Sequence, residues 1–259
     1  MNQTLKALSE VIKQHPLGEK LLFVPSYSIG HQIGQSLSRA GTSWINLRIS
    51  TPAGYAHGLL ASELATAGIR LIDENDGLLI VEKLYKENPK SKEGRQYFEA
   101  AEEISGILKC LTGSLRELKM AGVEKEEIDP GAFINPQKAK DLIWLYKSFD
   151  QYLKENRLID EAGLLKMATR KLEKDHAPLS ERIVIVLSDF PFTNIEKNLI
   201  NLVGGKDLVV VPHSQPVSLE IPVGFFQPPA IDKKRLIEIS DQTWSCSPGF
   251  LNLRRPPGP

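Results

Sequence analysis

The chain has 259 residues, 41% of them hydrophobic and 25% charged, which is ordinary for a globular protein long enough to bury a sizeable core. Its 32 lysines and arginines against 32 aspartates and glutamates give a formal net charge of zero. That excludes the global basic field of a dedicated nucleic-acid binder, though a local patch would suffice for contact. The two cysteines, Cys110 and Cys246, stand in no metal-ligand spacing, and no run reaches the length of a membrane span, so the expectation is a cytoplasmic protein with no metal, no cofactor and no membrane contact.

In chain order, Leu5, Leu8 and Ile12 predict a helix over 3–14, stopped by Pro16 and Gly18. "KLLFV" (20–24) is a continuous apolar run that suits a strand covered on both faces. A helix is expected from about Gly30 to Arg39, ended by Gly41. "WINLRIS" (44–50) alternates as a strand, and Thr51 caps a helix with Pro52 at its first position. Strand–helix–strand–helix predicts a parallel sheet, hence an α/β fold. From Asp73 to about Lys174 the periodicity is almost wholly helical, broken at 88–94 and 122–136. The sheet then returns with "RIVIVLSDF" (182–190), a helix capped by Thr193, and "DLVVVP" (207–212). These patterns divide the chain into a first part of an α/β lobe (1–72), a helical insertion (73–175), the return of the lobe (176–225) and a Pro-rich, poorly ordered tail (226–259).

Two places in this layout are where a nucleotide site would sit: the turn after the first strand, and the end of "IVIVLSDF". A phosphate loop requires G-x-x-x-x-G-K-[ST] at the first. Aligned on Gly30, this chain has Pro25 for the first glycine, His31 for the lysine and Gln32 for the hydroxyl. At the second, Ser188 stands where a magnesium aspartate belongs and Asp189 where a catalytic acid belongs. Losing the lysine, the hydroxyl and the acid removes the means of stabilising phosphoryl transfer. Gly30 has an alternative reading as a turn glycine, His31 as a surface helix residue, and Asp189 as a cap for the next helix. Trp44, Tyr55, Trp144 and Tyr146 are at core-like spacing.

The run "VLSDFPFTN" is similar to the D-E-F-Q-D-T segment of UvrD/Rep-type helicases, with Phe190, Thr193 and Asn194 matching, and Pro191 and Phe192 replacing Gln-Asp. Those helicases carry I-D-F-D-D-L-L upstream; here Ile159, Asp160, Leu164 and Leu165 are in register, while Glu161, Ala162 and Gly163 depart. "INLRISTPAGYAHGLLA" (45–61) looks like their second strand and the Thr-led segment that contacts single-stranded DNA. Over residues 20 to 212 the chain therefore resembles the first lobe of a superfamily 1 helicase. More narrowly, it resembles the N-terminal, inactivated-helicase region of the AddB/RexB-like component of bacterial ATP-dependent helicase–nucleases.

The resemblance implies a P-loop NTPase-like sheet with a large helical insertion, a degraded ATP site and a place in DNA repair and recombination. It also implies DNA, single-stranded or as a duplex end, and a helicase–nuclease partner subunit as partners. The family's PD-(D/E)XK nuclease motif and cluster-binding cysteines have no counterpart here, so the chain reads as a fragment of such a protein, with no catalytic residues. The expected residue of function is DNA contact by Arg48 and Thr51, with the Arg48 side chain and the following helix N-terminus facing one phosphate; an ion pair between Arg48 and a neighbouring acid is the alternative. The rival functions are a nucleotide-using enzyme with an unusual loop and a scaffold that binds only a partner subunit.

Overall fold

The computed structural model describes residues 3–87, 104–175 and 182–212. The expected loop at 88–94 and the Pro-rich tail at 226–259 lie outside them. The described elements are α1 (Gln3–Gln14), β1 (Glu19–Phe23), α2 (Tyr27–Arg39), β2 (Leu47–Ser50), α3 (Pro52–Ala67), β3 (Arg70–Leu71), α4 (Glu74–Glu87), α5 (Ile104–Ala121), α6 (Pro136–Glu155), β4 (Leu158–Ile159), α7 (Glu161–Asp175), β5 (Arg182–Leu187), α8 (Asn194–Gly204) and β6 (Leu208–Val211), with short 3-10 turns at Pro130–Ala132 and Gly205–Asp207.

Four strands form one parallel sheet in the order β2-β1-β5-β6. The chain steps from β1 to β2 on one side, then returns past β1 to β5 and β6 on the other. The order reverses between β1 and β5, and the crevice outside the carboxyl ends of strands at such a switch point is where doubly wound sheets bind ligands. Both faces are covered, as the continuous apolar runs require. Alternation sends Leu21, Phe23, Val184 and Val186 to a core shared with α3, α7 and α8. It sends Leu22, Val24, Ile185 and Leu187 to a core shared with α1 and α2.

The helix starts follow local chemistry. Thr51 caps α3 with Pro52 at the first position, its hydroxyl accepting the Gly54 N–H at 3.0 Å. For α8, the Glu196 carboxylate accepts from both the N–H and the hydroxyl of Thr193, each at 2.8 Å. Helix α2 ends with Gly41 at φ 72°, a left-handed position that suits glycine.

The insertion is closed at its base by a parallel pair of two-residue strands, β3 with β4, extended by Arg70 N–H to the Arg157 carbonyl and Ile72 N–H to the Ile159 carbonyl, both 2.9 Å. Between them α4, α5 and α6 bury their own core around Val81, Leu115, Leu145 and Tyr146. The Tyr146 hydroxyl donates to the Val123 carbonyl at 3.0 Å, and burial, aided by the Asp150 carboxylate, pushes its pKa up. Helix α7 does not belong to this core. Its Leu164, Leu165 and Ala168 pack beneath the sheet with α3 and α8, so the α/β lobe resumes after β4 rather than at residue 176. A helical period identifies an apolar stripe but not the core it serves.

Insertion and lobe are joined by a buried cation. Lys119 of α5, only 5% exposed, places its Nζ 2.7 Å from a carboxylate oxygen of Asp150 on α6 and 2.7 Å from one of Asp160. The other Asp160 oxygen accepts the Gly163 N–H at 2.9 Å and so caps α7. The ammonium also lies over the Phe149 ring at 5.1 Å. Beside it, the Arg116 guanidinium bonds the Glu161 carboxylate at 3.0 Å, which raises its pKa further. Asp160, matched to a helicase motif by sequence, and Glu161, which departs from that motif, thus act as a helix start tied to α5.

Candidate functional site

The switch point brings together the two segments that the sequence singles out. After β1, the Val24 N–H donates to the Ser50 carbonyl at 3.0 Å, and only Pro25 separates it from Ser26. The Ser26 hydroxyl accepts from Ile29 N–H at 3.4 Å, and α2 begins at Tyr27. The Gly30 N–H donates to the Ser26 carbonyl at 3.1 Å, an ordinary first helical bond. The helix therefore starts three residues before the expected Gly30, and of the positions aligned with the phosphate loop, 27–32 are wound into its first two turns. A phosphate loop works by presenting successive unbonded N–H groups to an anion; here no loop of that kind remains.

Gly30 is neither a turn glycine nor part of an anion cradle. It is buried within α2, and a Cβ there would stand 2.6 Å from Ile49 Cγ2. Its missing side chain lets α2 close onto β2. His31 and Gln32 are exposed in the second turn of α2.

On the neighbouring strand end, the Ser188 N–H extends the sheet by donating to the Val211 carbonyl at 3.0 Å. Its hydroxyl donates to the Asp189 carboxylate at 2.9 Å, and both residues lie at the surface. Asp189 does not cap α8, because Thr193 and Glu196 do. Phe190 and Phe192 meet edge to face with centroids 5.9 Å apart, and Phe192 is buried under α8. Thr51 lies at the same carboxyl edge, and a side chain at Gly54 would collide with the Tyr27 hydroxyl, so Tyr27 lies over the first turn of α3. Among the described residues the edge thus offers Ser26, Tyr27, Thr51, Ser188 and Asp189: hydroxyls and one carboxylate, without a lysine or arginine. Nothing in that set would neutralise a polyphosphate, and Asp189 would repel one.

Arg48 is elsewhere. It is exposed at the second position of β2, in register with Leu21, on the sheet face that carries α3. Its guanidinium lies beside Gly58, 3.7 Å from where a Cβ would stand, past the first turn of α3. The expectation that Arg48 and the α3 N-terminus face one phosphate is therefore not met. Since α3 runs back antiparallel to β2, the start of the strand meets the body of the helix, and Thr51 and Arg48 serve different ends. Among the described residues Arg48 makes no ion pair, so the salt-bridge alternative is not seen either. Arg48 instead lines a cavity at the amino-terminal edge of the sheet, with Lys20, Trp44 and Arg182. Lys20 and Arg182 belong to none of the sequence motifs, although a charge at the first positions of an otherwise apolar strand is a usable signal.

Tyr55 and Tyr146 are core residues, as expected, Tyr55 meeting Phe23 edge to face at 5.6 Å. Among the described residues no three His, Cys, Asp or Glu side chains converge as a metal site would need, and no helix is long and apolar enough to cross a membrane. Compared with known proteins, the chain matches no family model, and no curated protein is significantly similar to it. The chain is an α/β protein with a parallel main sheet and an inserted helical layer.

Proposed function

We propose that this chain is a cytoplasmic, helicase-like α/β lobe without ATPase activity, serving as a DNA-tracking or scaffold module of a DNA end-processing helicase–nuclease. The observation that carries the inactive half of this reading is the winding of residues 27–32 into α2, beside a strand end that carries Ser188 in place of a metal-binding acid. It disfavours the rival of a nucleotide-using enzyme with an unusual loop, since an unusual loop is still a loop. The helicase-like half is supported by the β1–β5 switch point, which joins the two segments of the resemblance, and by the helical insertion between β3 and β4.

Calorimetry with magnesium-ATP at millimolar concentration is the test. No saturable heat is expected. The triple variant His31→Lys, Gln32→Thr, Ser188→Asp should stay equally silent, because its new side chains would project from a helix and not from around a bound phosphate. Saturable binding by the wild-type chain would overturn the reading.

The DNA half is tested by filter binding to single-stranded DNA across a salt series. Weak, sequence-independent binding is expected, with a slope of about −2 in log affinity against log salt for about three neutralised phosphates. Absence of binding at low salt would leave the scaffold alone.

A further inference from the structure

Resting on the DNA-tracking reading above, we propose that a single strand of nucleic acid lies in the cavity at the amino-terminal edge of the sheet, its phosphates on Arg48 and Arg182 and a base against Trp44. The cavity has a volume of about 510 Å³ and opens beneath β1, β2 and β5. It lies at the end of the sheet opposite the carboxyl edge where Ser188, Asp189 and Thr51 sit.

Register places the two arginines on either side of β1, Arg48 opposite Leu21 and Arg182 opposite Glu19. All four of these residues leave the sheet on the α3 face, because Leu21 and Val184 do. Arg48 is exposed and makes no ion pair among the described residues. The Arg182 guanidinium lies 3.5 Å from the mostly exposed Glu19 carboxylate, a surface pairing of small strength. Behind them Lys20 is 1% exposed, its Nζ held by the His15 and Gly18 carbonyls at 2.5 and 2.6 Å. Burial lowers its pKa, and alternation sends it to the α1/α2 face with Leu22, opposite the two arginines. Among the described residues of the lining, Arg48 and Arg182 against Glu19 leave a small positive excess on a chain of zero net charge.

The cavity is also aromatic and apolar at its rim. Trp44 packs only partly against the core below it and lines the opening. The Asn46 amide donates to the Leu17 carbonyl at 2.9 Å and draws two loops together at the cavity's edge. Guanidinium groups and an indole lining one cavity match the recurring chemistry of single-strand sites, where cations follow the backbone and rings stack on bases. A free nucleotide carries the same phosphate and base. An acidic peptide would satisfy the arginines but gives no use for the indole face.

The test is fluorescence anisotropy of a labelled oligothymidylate with the full chain at low salt. Arg48→Ala, a surface change, is expected to weaken binding about tenfold and to make the salt slope about 0.7 shallower, one phosphate contact fewer. Trp44→Leu keeps an apolar side chain over the core and removes the ring, with about a tenfold loss expected. Asp189→Arg, at the opposite edge, should leave affinity unchanged. If the strand binds but Arg48→Ala matches the wild type and Asp189→Arg tightens binding, the strand crosses the carboxyl edge; this inference falls and the DNA-tracking reading survives. If the wild type binds no strand, the DNA-tracking reading itself falls. Competition by thymidine monophosphate as strong as by the oligonucleotide would make this a mononucleotide site, and equal competition by polyglutamate an acidic-chain site; either result overturns the proposal.

Discussion

Replacing Lys119 by alanine is expected to destabilise the protein by about 3 kcal/mol, the range for removing one partner of a buried ion pair. At this chain length that is a fall of roughly 6 to 12 °C in melting temperature. The ammonium is the shared partner of Asp150 and Asp160, and its loss leaves the Asp160 carboxylate without a cation while Asp150 keeps Lys125 at 3.6 Å. The triple variant Lys119→Met, Asp150→Asn, Asp160→Asn should recover most of the loss. Methionine fills the stem's volume, and asparagine at 160 still caps α7 through the Gly163 N–H. Urea denaturation checks both. A loss below about 1 kcal/mol in the single variant, the range of a surface pair, would mean that Lys119 joins the insertion to the lobe only geometrically.

That lysine was invisible to sequence reading, and the reason is general to this chain. What proved legible was local. Thr51 followed by Pro52, Thr193 with Glu196, and the apolar runs of β1, β5 and β6 carry their structure in a few adjacent residues. What did not prove legible depends on partners far apart in sequence. The β3–β4 pair joins Arg70 to Leu158 through two-residue strands too short to leave a pattern. Helix α7 has the same period as α4 to α6 but serves the sheet's core. Lys119 meets Asp160 only because that pair closes the insertion.

One miss was avoidable. Ser26 after Pro25, with Ile29, Ile33 and Leu37 at helical spacing behind it, is a good helix start. Aligning the stretch on Gly30 hid that start behind a motif. That motif points to the carboxyl edge, whereas Arg48 and Arg182 line a cavity at the other end.

Substituting Gly30 by valine is expected to cost about 3 kcal/mol, the upper range for overpacking a filled interior. The new Cβ would stand 2.6 Å from Ile49 Cγ2 and 3.4 Å from Val24 Cγ2. Both obstacles are methyl groups of β-branched side chains, which rotate poorly within a packed layer. Alanine at the same position should cost about 1 kcal/mol, because its better helix propensity returns about 1 kcal/mol of the overpacking cost. Gly54 is the contrast: a Cβ there meets the Tyr27 hydroxyl at 2.2 Å, but that is the free end of an exposed side chain able to swing away. Gly54→Ala should therefore be nearly neutral. The decisive measurement is a double-mutant cycle with Ile49→Ala. If Gly30 exists to let α2 close on β2, Gly30→Val in the Ile49→Ala background should cost less than half of what it costs alone, a coupling above about 1 kcal/mol. Additive costs would mean that α2 is held off β2 by something other than this contact, and the packing account of Gly30 would fail.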